Sequence, residues 1–200
     1  MTLTVDSQRL ATESLGFETL GDVLSHIKSS NRLVTQVLID GQVPDLSSVA
    51  NLRSRRLTDH TIFIETSAPN EIAGEVLDEI DSQMETADTA RLAAIDHLAA
   101  GEPNEALKKL SGCFTTWQAA QQAIGQVAQL LKIDLDLVRV EDMSLSQSLS
   151  AFAEQLRGVR DALQRRDFVM LSDTLAYEME PTIRQWRDAL TQLRRSIDAN

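Results

Sequence analysis

Apolar residues recur along this chain with two different periods. In the first third they alternate: Leu3 and Val5 stand between Thr2, Thr4 and Asp6, the period-two pattern of a strand buried on one face. Residues 17–27 switch to helical spacing, with Leu20, Val23, Leu24 and Ile27 on one side. Leu33 to Ile39 is rich in β-branched residues and runs into Asp40-Gly41, a strong turn signal. After a polar stretch, Thr61 to Thr66 supplies a last strand. From residue 70 onward the period is helical almost to the end.

Helix punctuation divides that second part. Ser67 is expected to cap a helix over about 70–99, with Pro69 in its first turn. Its apolar stripe is Ala73, Val76, Leu77, Ile80, Met84, Ala87, Ile95 and Leu98. Gly101 stops it, and Pro103 starts a second helix over about 103–132. There Leu107, Leu110, Phe114, Trp117, Gln121, Ile124, Ala128 and Leu131 form a heptad seam. Ala106, Cys113, Ala120 and Val127 widen it, and Gly125 is a local weakness. Residues 133–142 alternate and predict a short strand or an extended crossover. Ser144 and Gln147 make a capping box for a third helix with the seam Leu145, Leu149, Phe152, Leu156, Val159 and Leu163. Asp167 caps a fourth, whose face runs from Phe168 through Leu171, Leu175, Met179, Ile183 and Trp186 to Ile197. The steps Leu175 to Met179 to Ile183 are both of four residues, and Pro181 sits among them, so a kink is expected near Met179–Pro181.

The fold class is therefore α+β and mostly α. A small β-containing unit is expected over residues 1–67, and an up-and-down antiparallel four-helix bundle over 68–200. The N-terminal third resembles the β-grasp fold of ubiquitin-like sulfur carriers. The residues behind this resemblance are the opening Leu3-Thr-Val-Asp-Ser-Gln8, the helix start Thr19-Leu-Gly-Asp-Val-Leu24, the strand through Val37, Leu38 and Ile39 closed by Asp-Gly-Gln, and the late Leu57-Thr-Asp-His-Thr-Ile-Phe-Ile64. Sulfur carriers end in a free Gly-Gly carboxylate, whereas here the last strand runs on through Thr66-Ser-Ala-Pro69 into a helix. The resemblance implies the fold and not the carrier activity.

Charge narrows the partners. The net charge is -11, with most of the excess acid beyond residue 67, a sign that repels phosphate backbones and argues against nucleic acid despite the clusters Arg53, Arg55, Arg56 and Arg165, Arg166. No apolar run approaches the ~20 residues of a membrane span, and the opening residues lack the pattern of an export signal. With the single Cys113 in an apolar helical stretch, the expectation is a soluble cytoplasmic protein.

Chemistry is hard to find in the residues. His26, His60 and His97 lack partners at metal-ligand spacing, and one cysteine is a poor supply for zinc. No cofactor is expected. The carboxylates Glu75, Asp78, Glu79 and Asp81 flank an apolar stripe as a solvated face. The expected function is thus that of a non-enzymatic adaptor, assembly factor or chaperone-like bundle, with a basic or amphipathic protein partner. Trp117, Gln121, Tyr177, Glu178, Glu180 and Trp186 are its candidate contact residues. Gln121 is either a register determinant or a polar residue at a bundle edge, and Tyr177 with the two acids beside Pro181 is most simply an amphipathic edge. Two alternatives stay open. One is a self-assembling homo-oligomer, such as a homodimer with the two tryptophan seams continued across a two-fold axis. The other is an enzyme with a site between the two units near His60, Arg55 and Arg56.

Overall fold

The structure, a computed structural model, describes residues 2–11 and 15–198. The chain divides into two compact units, Met1–Ile72 and Ala73–Asn200.

In the first unit the strands β1 (Thr2–Val5), β2 (Gln8–Arg9), β3 (Leu33–Ile39) and β4 (Thr61–Ser67) form one mixed sheet in the order β2-β1-β4-β3. β1 lies parallel to β4, with Leu3 opposite Ile62 and Val5 opposite Ile64, while the other pairs are antiparallel. The alternation seen in sequence sets this register, because Leu3, Ile62 and Ile64 share one buried face. Helix α1 (Leu20–Ser29) adds Leu20, Val23 and Ile27 to the same core. It begins at Leu20 and not at 17, since Thr19 caps it in a full capping box with Asp22. Asp40 and Gly41 both have positive φ, and Ile39 and Gln42 exchange backbone hydrogen bonds of 2.9 and 3.0 Å across them. The polar connection to β4 holds a short helix α2 (Val49–Arg53), which buries Leu52.

The second unit packs helices α3 (Pro69–Ala99), α4 (Pro103–Leu131), α5 (Leu145–Arg165), α6 (Phe168–Asp173) and α7 (Met179–Asp198) on one apolar core. Ser67 is not the cap of α3. It ends β4 and donates its hydroxyl to Glu71, which also accepts from the Ala68 N–H at 2.9 Å. A carboxylate in the first turn thus does the capping from inside the helix. Between α4 and α5 a two-residue hairpin pairs β5 (Arg139–Val140) with β6 (Met143–Ser144), and the capping box of Ser144 and Gln147 forms as expected.

The buried stripes of α4 and α5 are rotated from the predicted seams. On α4 the deepest residues are Ala106, Leu110, Cys113, Trp117, Ala120, Ile124 and Val127. Leu107, Phe114 and Gln121 lie at the edge of the stripe, where Leu107 is exposed and the other two are half-buried. On α5 Leu145, Ser148, Phe152, Val159 and Ala162 are buried, while Leu149, Leu156 and Leu163 are only half-buried. The line of deepest burial runs through Ala106, Ala120 and Ala162, so several of the larger side chains lie beside it instead of on it. The fourth helical stretch follows its predicted face from Leu171 to Ile197, but a π-helical turn, Thr174–Glu178, separates α6 from α7.

Candidate functional site

The half-buried residues left over from the two seams face one another. Gln121 Nε2 donates to the Leu149 carbonyl at 3.1 Å, and Trp117 stacks edge-on against Phe152 at 6.0 Å. Residue numbers fall along α4 as they rise along α5, so the two helices run antiparallel here. Counting by heptads from the Gln121·Leu149 rung brings Phe114 level with Leu156 and Leu107 level with Leu163. These rungs span about 21 Å at 1.5 Å per residue. Between them lies a cleft of about 370 Å³ floored by Phe114, Leu156 and Leu163 and edged by Gln118, Arg157 and Arg160. A shallower extension of about 580 Å³ continues past Gln121 and Ala153 towards Ser146 and Leu149.

The rim is basic. Arg157 pairs with Glu154 one turn away, and Arg160 lies 3.6 Å from Asp161. All four side chains are at least half exposed, so such pairs hold the arginines only weakly. After Glu105 no acid occurs on α4, whereas α3 carries eight acids and the single base Arg91. The charge of this unit is therefore divided between an acidic α3 and a groove edged with arginine.

The groove floor is tied to the core by rings. Phe114 meets Trp117 at 5.6 Å, Trp117 meets Phe152, and Phe152 meets Trp186 at 4.7 Å. Trp117 and Trp186 are both fully buried. These two candidate contact residues therefore offer no surface to a partner: each has the bulk and spacing to be drawn into the centre of the core. Gln121 does line the groove. Tyr177 is 75% exposed on the π-helical turn, and Glu178 is exposed beside it.

Glu180 belongs to a second arrangement. Arg91 is 1% exposed, yet each of its three guanidinium nitrogens has a partner. It donates to Asp88 at 2.7 Å, to the Leu175 carbonyl in the π-helical turn at 2.5 Å and to Glu180 at 3.1 Å. Cys113 lies in the same core, where burial pushes its thiol up to about 11, so it stays protonated and unreactive at neutral pH. His60 pairs with Asp40 at 2.7 Å and His97 with Glu102 at 2.8 Å. Among the described residues no group of three or more His, Cys, Asp or Glu is placed to hold a metal ion, and no helix is long and apolar enough to cross a membrane.

Sequence reasoning passed over Arg91, Arg157 and Arg160. The signal for Arg91 was present: it continues the stripe Ala73, Leu77, Ile80, Met84, Ala87 by a further step of four, and only its charge hid it. For Arg157 and Arg160 the signal is their place one and four residues beyond Leu156, along an edge whose leucines are not fully covered.

The family model whose description is domain of unknown function (DUF8042) matches residues 75–189, which take in the whole of α4, α5 and the groove between them. No curated protein and no solved structure matches the chain. With more than half of its length inside that model, the chain belongs to the DUF8042 family.

Proposed function

We propose that the protein is a non-enzymatic interaction protein whose helical unit binds another polypeptide in the α4–α5 groove. The observation that carries this reading is the pair of heptad rows, exposed Leu107 with half-buried Phe114 and Gln121 on α4 and half-buried Leu149, Leu156 and Leu163 on α5, with no helix of the described chain laid over them. A row of apolar side chains one turn apart on each of two antiparallel helices is the shape into which a third helix sets its own ridge. The helical unit is read here as an up-and-down bundle. The N-terminal unit is read as a β-grasp module, supported by its strand order and by the parallel pairing of β1 with β4. A cytoplasmic setting and an absence of nucleic-acid binding belong to the same reading.

A photo-crosslinking residue placed at Gln118, on the groove rim, tests it. The expected result is a covalent adduct with a second polypeptide in the native cell. The same residue at Gln83, exposed on α3, should give none. Equal adducts at both positions, or none at either, would overturn the reading. An adduct consisting only of two copies of this chain would transfer the groove to a self-assembling protein.

A further inference from the structure

We infer that the occupant of the α4–α5 groove is an acidic amphipathic helix of another protein. This rests on the docking reading above and adds the chemistry of the partner. The charge lining the groove comes from Arg157, Arg160 and Glu154. Glu154 is already engaged by Arg157 and Asp161 stands near Arg160, but these exposed pairs are cheap to exchange. The facing rim on α4 is Gln118 with Thr115 and Gln122 nearby, and it carries no acid to repel a carboxylate. A helix seated on Phe114, Leu156 and Leu163 would thus bring its flanking side chains against guanidinium groups on one side and neutral amides on the other. Arginine's forked donors then favour carboxylates there.

Net charge points the other way: a chain of charge -11 suggests a basic partner, which is the expectation drawn from sequence alone. Screening decides between them. At physiological salt, charges more than about 8 Å apart act weakly on each other, so a bound helix is sorted by the rim that it touches. A second copy of the chain is a poor occupant. Its acidic helix α3 already commits Ala73, Leu77, Ile80, Met84, Ala87 and Ala94 to its own core, and Leu92 is the one large apolar side chain that it exposes.

The test uses the full chain and two helical peptides of about 21 residues, long enough to overhang a groove that takes about 14 residues at 1.5 Å per residue. Both have leucine at alternating three- and four-residue steps; one carries glutamate on its flanks and the other lysine. Trp117, one ring removed from the groove floor, reports binding by fluorescence. The glutamate peptide should bind at least tenfold more tightly at low salt, with the advantage shrinking as salt is added. The double variant R157E/R160E should reverse the order. Both arginines are exposed, so the variant should keep its fold, which circular dichroism checks. A preference for lysine in the native chain, or one unchanged in R157E/R160E, would overturn the inference. If adducts form at Gln118 while the peptides show no charge preference, only the partner's chemistry falls. If neither peptide binds and no adduct forms, the docking reading falls with it.

Discussion

A methyl group added at Gly21 would meet the backbone carbonyl oxygen of Arg53 at 2.9 Å. Helix α1 sits that close because its first turn is bound to the segment before β4: the Leu20 N–H donates to the Arg55 carbonyl at 2.9 Å, and Leu57 N–H to the Glu18 carbonyl at 3.0 Å. At Gly125, inside α4, an added methyl group would find nothing within 4 Å. The same substitution therefore has opposite signs. Gly21→Ala should destabilise by about 1–3 kcal/mol through forced displacement of packed backbone. Gly125→Ala should stabilise by up to about 1 kcal/mol by restoring helix propensity at an open site. Urea unfolding followed by circular dichroism checks both, and equal signs would contradict the close approach of α1 to α2. The sequence marks Gly125 as a weakness, since helical spacing surrounds it. Nothing in the sequence marks Gly21, because its restraint comes from a residue more than thirty positions away.

Between α6 and α7 the chain takes one residue more than an α-helix needs, and the sequence records this as the successive steps of four from Leu171 through Leu175 and Met179 to Ile183. An extra residue in a helix is a π-turn, which keeps all four side chains in the core. Pro181 then lies three residues beyond that turn, inside a helix that runs through it without a gap, where the bonding has already changed register. The break was thus legible in position but not in kind: the proline accompanies it, while core spacing demands it. The turn leaves the Leu175 carbonyl to accept from Arg91, and this contact should carry more stability than the ion pair beside it. Arg91→Met is expected to cost about 2–4 kcal/mol, because it strands a buried carbonyl and the carboxylate of Asp88. Glu180→Gln should cost less than about 1 kcal/mol, since that carboxylate is half exposed. Chemical denaturation of the two variants checks the order, and a larger loss for Glu180→Gln would refute it. The groove shows the other limit of sequence reading. Heptad spacing placed Leu107, Phe114, Leu149 and Leu156 on α4 and α5 correctly as elements, but it ranked side chains by bulk. The line of deepest burial runs through Ala106, Ala120 and Ala162 and leaves those residues at the rim.

Two cores that share no residue hold the molecule, and acid should act more strongly on the first. In the first unit Asp6 is held below the usual carboxylate range chiefly by the Thr66 hydroxyl, Asp22 and Asp40 by the N–H groups of Thr19 and Thr61, and Glu71 by the Ser67 hydroxyl. A carboxyl lowered by folding contributes stability above its unfolded value, near pH 4, and loses it as pH falls through the folded value. Among the described residues of the second unit, Glu105 is held low, chiefly by its hydrogen bond from Lys108 on the exposed first turn of α4. Amide protection in β1 and β4 should therefore disappear at a higher pH than the buried signal of Trp117 and Trp186, the only tryptophans of the chain. Hydrogen exchange and fluorescence on one acid titration read this difference, and simultaneous loss would contradict it. One feature of the sheet bears on solution behaviour. Among the described residues β3 pairs with β4 alone, so its other side is an open row of peptide groups on seven residues without a charge. Arg32 and Asp40 stand at its two ends, where charge discourages strand-to-strand pairing. Close to the isoelectric point near 4.7 mutual repulsion vanishes, and this bare edge is where molecules are expected to begin joining.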